Sequence, residues 1–163
     1  MKPTIYLETT VISYFVARPS ADVIIRGHQE TTHQWWNKRL PRYKVFISEL
    51  VLDEINRGDS DAALRRSQAI RKFEVLRVTP EAIDLAGKYV SDLPLLCDAD
   101  ADALHLALAV LNNVNFLVTW NCKHIARGSV IAALPIVNRR RGLGSPVICT
   151  PEELLYENEK GMV

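Results

Sequence analysis

The stretch "LLCDADADALHLALA", residues 95–109, sets Asp98, Asp100 and Asp102 at alternate positions ahead of an apolar run. Carboxylates gathered in this way bind calcium in a loop, open a helix, or join distant acids around a hard divalent cation. A calcium loop needs glycine at its sixth place and glutamate at its twelfth. Counted from Asp98, those places hold Ala103 and Ala109, so that chemistry is excluded. As a helix start, Asp98 or Asp100 would be the cap and Asp102 would complement the positive end of the helix dipole. That explains one or two of these aspartates but not the acids elsewhere, Glu8 in "TIYLE" and Glu49, Asp53 and Glu54 in "ISELVLDEI". Clustered carboxylates raise one another's pKa unless a cation lies between them. Mg²⁺ suits carboxylate, amide and water oxygens. Such an ion can activate water and neutralise a phosphoryl oxygen during phosphodiester hydrolysis.

Rival chemistries lack their residues. No glycine turn follows the first strand, which runs into "ETTVISYF", and no GxxxxGK[ST] occurs, so a nucleotide cofactor is not indicated. No G-x-S-x-G elbow is present. Cys97, Cys122 and Cys149 form no CxxC pair, and the neighbours of Cys122 supply no base for a nucleophile. A net charge of +1 gives no overall attraction to nucleic acid. Local basic groups do exist: Arg65-Arg66, Arg71-Lys72, Lys38-Arg39 with Arg42, and Arg139–Arg141. "MKPTIYLE" leads straight into a strand pattern, and no run approaches the ~18 apolar residues of a membrane span. A reducing cytoplasm and no membrane are the expectation.

The elements that must position these acids alternate along the chain. Strands are expected at "TIYLE" (4–8), "KVFIS" (44–48), "FEVLRV" (73–78), "NFLVTW" (115–120) and "PVICT" (146–150). Helical periodicity marks 20–40 after a Ser20 cap, 49–56 up to Gly58, 60–72 after a Ser60 cap, 80–93 opening on Pro80, 101–113, and 128–141 with Pro135 inside. Alternation of this kind predicts a parallel sheet covered on both faces, with its site at the carboxyl ends of the strands. Glu8, the helix carrying Glu49, Asp53 and Glu54, the helix opened by the aspartate run, and Thr119 with Asn121 all belong to elements next to such ends.

Four segments, "YLETTVISYF", "ISELVLDEI", "DADALHLALA" and "FLVTWNCKHIA", stand in the order and spacing of PIN-domain ribonucleases. The chain resembles that family over nearly its whole length, and most of all the VapC-type toxins of bacterial toxin–antitoxin pairs. The "ARPS" loop (17–20), the "WW" pair and the ending "PVICTPEELL" resemble one branch of it. The resemblance implies one domain over residues 1–163, an α/β three-layer fold, and a five-stranded parallel sheet in the order 3-2-1-4-5 with helices on both faces. It also implies an acidic site for one or two Mg²⁺ or Mn²⁺ ions. Glu8, Glu54 and Asp102 take the metal-binding places, and Asn121 the fourth place with Thr119 beside it. Two positions depart from the family pattern, where the first acid is normally Asp and the fourth often is. The extra methylene of Glu8 moves its carboxylate by about 1 Å, where positioning to ~0.5 Å matters.

Residues around that quartet are candidates for support or substrate contact. Asp98 would stand one turn before Asp102 if the helix extends back to it. His105, three residues after Asp102, would share its face; a satisfied polar contact near the core is the first reading, and orienting a carboxylate or touching substrate the second. Arg18, Lys123 and His124 are candidate phosphate contacts. Trp35 and Trp36 cannot both face inward, so one belongs to the core and the other to a partner or base-stacking surface. The function implied is a divalent-metal-dependent ribonuclease with an RNA substrate, an antitoxin protein as partner, and a homodimeric assembly. The alternative is a catalytically degenerate PIN module that binds RNA or protein without cutting. A DNA nuclease is disfavoured by the short chain and the lack of a long inserted arch.

Overall fold

The β-branched and aromatic stretch near the N-terminus occupies the middle of the sheet. In the computed structural model, which describes residues 1–157, β1 (Thr4–Leu7) lies between β2 (Lys44–Ser48) and β4 (Phe116–Val118), parallel to both. β3 (Glu74–Leu76) pairs with β2, and β5 (Val147–Cys149) pairs with β4. The order is therefore β3-β2-β1-β4-β5, the five-stranded parallel sheet expected. Ile5, Tyr6 and Leu7 are fully buried, as a strand covered on both faces requires. Chain order reverses at β1, with β2 to one side and β4 to the other. Beyond the carboxyl ends at such a switch point is where a parallel sheet places its ligands.

Around the sheet pack α1 (Thr9–Val16), α2 (Val23–Lys38), α3 (Glu49–Ile55), α4 (Ser60–Ile70), α5 (Pro80–Asp92), α6 (Asp100–Leu111), α7 (Gly128–Arg139) and α8 (Pro151–Leu155). α6 buries Ala103, His105 and every residue from Leu106 to Val110, which suits a helix enclosed on most sides. It ends with Asn113 in the left-handed region at φ 49, where the Val114 N–H returns to the Ala109 carbonyl. Trp35 is fully buried in the core. Trp36 is half-buried and stacks on Phe15 with ring centroids 4.1 Å apart, which accounts for it without a partner. No helix among the described residues is long and apolar enough to cross a membrane.

Several expected helix starts move. α2 is capped by Asp22, whose Oδ1 accepts from the Ile24 and Ile25 N–H groups, while Ser20 Oγ accepts from the Asp22 N–H instead. Asp59 rather than Ser60 caps α4. Carboxylates won both positions one or two residues from the expected hydroxyl. Neither Asp98 nor Asp100 caps α6: Ala99 stands at that place without a side-chain bond, and Asp100 is the first helical residue and exposed. α1 and α8 were not expected. α1 opens on Glu8, outside the usual cap residues, which left no local signal of its start. α8 follows a capping box in which the Glu153 carboxylate accepts from the Thr150 N–H at 2.5 Å. α7 continues through Pro135 to Arg139.

Candidate functional site

Glu8 is the first residue beyond β1, and its backbone N–H still donates to the Val118 carbonyl of β4 at 3.1 Å. The chain then turns into α1, with Glu8 as its cap. The side chain is only 3 % exposed, so its polar atoms need partners within the protein. Oε2 accepts from the Thr10 N–H (3.1 Å), Thr10 Oγ1 (2.5 Å) and Thr119 Oγ1 (2.7 Å). The two threonine hydroxyls also tie down the chain after β4. Thr10 Oγ1 accepts from the Trp120 N–H and Thr119 Oγ1 from the Asn121 N–H, both at 2.9 Å. Three donors thus converge on one oxygen of Glu8, and no donor among the described residues reaches the other.

Glu54 arrives from α3, which follows β2 directly because Ser48 both ends the strand and caps the helix. Its Oε1 accepts from Thr9 Oγ1 and His105 Nε2, each at 2.7 Å, and Oε2 has no donor among the described residues. Burial pushes the Glu54 carboxyl upward. The hydrogen bonds from His105 and Thr9, with help from the Arg57 charge, outweigh that and hold it below the usual carboxylate range. Behind His105, Nδ1 lies 2.7 Å from the Tyr6 hydroxyl, which lies 2.8 Å from Ser48 Oγ. Burial pushes the Tyr6 phenol far above its ordinary range, so it keeps its proton.

Glu8, Glu54 and His105 each offer a potential ligand atom, and these atoms lie within 4.8 Å of one another. Asp102, in the first turn of α6, is outside that tight group. Its Oδ1 accepts from Asn121 Nδ2 at 2.8 Å, and its Oδ2 is 3.5 Å from His124 Nδ1, a buried nitrogen without a hydrogen-bond partner among the described residues. Burial raises the Asp102 pKa above its ordinary value. The neighbouring His124 and the Asn121 bond act against this, and the Glu54 charge adds to it. Asn121 uses both ends of its amide internally, because its Oδ1 accepts from the His124 N–H at 3.1 Å. Lacking a charge, it orients Asp102 and organises the turn after β4.

The remaining candidates divide. Asp98 is exposed and left-handed at φ 59, and α6 begins only at Asp100, so the one-turn relation to Asp102 does not exist. Arg18 and Lys123 are exposed. Glu49 is a structural clip whose Oε2 accepts from the Val78 N–H at 2.7 Å, and Asp53 is exposed. Part of the basic surface is also structural: Arg66 donates to the Ile55 and Arg57 carbonyls, Arg39 to the Leu155 carbonyl, and Arg141 pairs with Asp92. Partial burial, then Glu153, push the Cys122 thiol above its ordinary range, which disfavours a thiolate. Sequence reading did not single out Thr9, Thr10, Tyr6 or Ser48. The two threonines directly after Glu8 were a usable signal, since hydroxyls at a strand end can hold a carboxylate. Nothing local marked Tyr6 or Ser48.

An acidic cluster at the switch point of a parallel α/β sheet is what fold and site define together. The PIN domain family model matches residues 5–124, and the chain belongs to that family. Among solved structures it is similar to VapC20 of Mycobacterium tuberculosis, a sarcin-ricin loop cleaving toxin, with 18 % identity and a TM-score of 0.59 over 78 % of this chain and 97 % of the other. It is also similar to VapBC2 from Rickettsia felis, solved with a DNA fragment from their promoter, with 17 % identity and a TM-score of 0.54 over 74 % of this chain and 89 % of the other. At these identities the likeness is one of fold. A search of curated proteins returns no match.

Proposed function

We propose that this protein is a divalent-metal-dependent ribonuclease and the toxin of a toxin–antitoxin pair. The observation that carries this reading is the state of the carboxylates. Glu8 and Glu54 each have one oxygen held by fixed donors and one oxygen free of donors among the described residues, the first just beyond β1 and the second on the helix that follows β2. This donor set fits Mg²⁺ or Mn²⁺, which take hard oxygen ligands and keep part of their water. Glu8 and Glu54 would hold the ion through their free oxygens, and Asp102 through Oδ2. Bound there, the ion would supply charge neutralisation at the scissile phosphate and a more acidic water.

The chain's own residues do the rest. Thr10, Thr119, Thr9 and His105 keep the two glutamates from turning, so little reorganisation is needed when charge develops. Asn121 fixes Asp102. Arg18, Lys123 and His124 are proposed to receive the phosphates of the RNA on either side of the cut. The similarity to a cleaving toxin and to a VapBC assembly supports RNA as substrate and an antitoxin protein as partner. A homodimer rests on the family resemblance alone.

The test is cleavage of RNA by the native chain in Mn²⁺, beside the same reaction in EDTA and with Asp102→Asn. Cleavage confined to the native protein with Mn²⁺ is expected. A native chain that neither cuts RNA nor binds Mn²⁺ would instead be a PIN module that binds RNA or protein without catalysis.

A further inference from the structure

The buried row behind Glu54 deepens this reading, and the inference rests on it. Ser48 and Tyr6 are fully buried and His105 is 1 % exposed, so water cannot complete their hydrogen bonds. Ser48 Oγ accepts from the Val51 N–H at 3.2 Å, which leaves its own O–H to be donated. The acceptor provided is the Tyr6 hydroxyl at 2.8 Å. Tyr6 then donates its proton to His105 Nδ1 at 2.7 Å. A ring nitrogen that accepts carries no proton, so the hydrogen of the neutral imidazole is on Nε2, where it meets Glu54 Oε1 at 2.7 Å. Run in the opposite sense, the row ends with a buried Ser48 O–H that has no acceptor. It also sets a bare Nε2 against a carboxylate unless the ring is charged. One direction satisfies every hydrogen.

We propose that Ser48, Tyr6 and His105 form a one-way hydrogen-bond relay that holds His105 as the neutral Nε2–H tautomer, making it a positioning residue for Glu54 rather than a metal ligand. The Nε2 lone pair needed for ligation does not exist in that tautomer, although the nitrogen lies within 4.8 Å of the glutamate oxygens. The site offered to a cation is then all oxygen. The relay also decides which oxygen Glu54 presents: Oε1 is held by His105 and Thr9, so Oε2 is the one left free.

The tautomer is read directly from long-range ¹H–¹⁵N spectra of the metal-free protein. Expected is a His105 ring protonated on Nε2 and bare on Nδ1, with the Nδ1 resonance moving in Tyr6→Phe. A proton on Nδ1 would overturn the proposal. This measurement needs neither metal nor RNA, so it is separable from failure of the nuclease reading, which shows as a native chain that binds no Mn²⁺. In the Mn²⁺-loaded native protein, electron spin echo spectra are expected to show no directly bound nitrogen. A nitrogen coupling that vanishes in His105→Gln would sink the idea. His105→Gln, which can place an amide N–H where Nε2–H was, should largely keep the native Mn²⁺ affinity. His105→Leu should lose about 10–100-fold, the usual cost of removing a ligand's outer partner. Equal losses in the two variants would mark His105 as a ligand. Should His105→Leu not fold, the tautomer and the spin echo spectrum decide alone.

Discussion

The two ends of the sheet make opposite use of their polar atoms. The amino end borders a cavity of about 560 Å³, lined by residues that include Lys2, Asn113, Asn115 and Phe116. The lining contains no carboxylate, and its Asn115 is spent on the neighbouring strand: Asn115 Oδ1 accepts from Thr4 N–H (2.8 Å) and Thr4 Oγ1 (2.9 Å), and the Asn115 N–H donates back to Thr4 Oγ1 at 3.0 Å. At the carboxyl end, Glu8 and Glu54 are held just as firmly, but each keeps an anionic oxygen without a donor among the described residues. Room without an anionic side chain offers a cation little. Unused anionic oxygens held in place by fixed donors are what a candidate site requires, and these fall where a parallel sheet puts its ligands.

The strongest way to break this contrast is to neutralise the carboxyl end. Glu8→Gln or Glu54→Gln removes an anionic ligand worth about 3–4 kcal/mol at the transition state, so Mn²⁺-dependent RNA cleavage should fall roughly 10²–10³-fold. Asn115→Ala at the amino end should leave the rate unchanged in the same gel assay. A comparable loss in Asn115→Ala would show that the two ends do not differ in this way.

Shortening Glu8 sharpens the comparison. Its Oε2 meets three donors because the side chain reaches them, so Glu8→Asp withdraws the carboxylate by about 1 Å from Thr10 and Thr119. Activity is expected to drop by at least about tenfold, roughly one hydrogen bond to a charged group. An increase in cleavage with Asp would show that the pocket is not built for glutamate.

Metal should stabilise the carboxyl end alone. Mn²⁺ at a hundredfold excess over its Kd adds about 2.7 kcal/mol, a rise in Tm of roughly 5–10 °C for a chain of this size. Calorimetry on native protein and on Asn115→Ala should record the same rise, and Glu8→Gln should lose it. Without metal, Asn115→Ala should itself lower Tm by roughly 2–4 °C, the cost of about 1 kcal/mol of hydrogen bonding at a partly exposed site.

The smallest effect is in pH. Glu54 is held below its ordinary range, so its contribution to stability is complete above the unfolded pKa of about 4.3 and is lost as pH falls through the lower folded value. Urea melts in EDTA should therefore show native protein and Glu54→Gln drawing together below about pH 4. A gap that widens on acidification would mean that the His105 and Thr9 contacts do not favour the carboxylate.

The family resemblance singled out Glu54, Asp102 and Asn121; the amino-acid sequence by itself determined the class of fold, the succession of strands and helices, and the placement of Glu8 and the acids at 49–54 near strand ends. Those are properties of periodicity and of residues close together in the chain, and periodicity states which face is buried and what element carries it. Only the tertiary structure decided which atoms remain free. His105 is three residues from Asp102, yet its ring bonds to Glu54, fifty-one residues away. Glu8 depends on Thr119 across 111 residues, and the His105 tautomer on Tyr6 across 99. Hydrogen-bond direction depends on distances set by packing between remote segments, and no local pattern records them. The α1 start was hidden for the same reason: Glu8 is a poor cap by type and becomes one because β4 and Thr119 hold it at the end of β1.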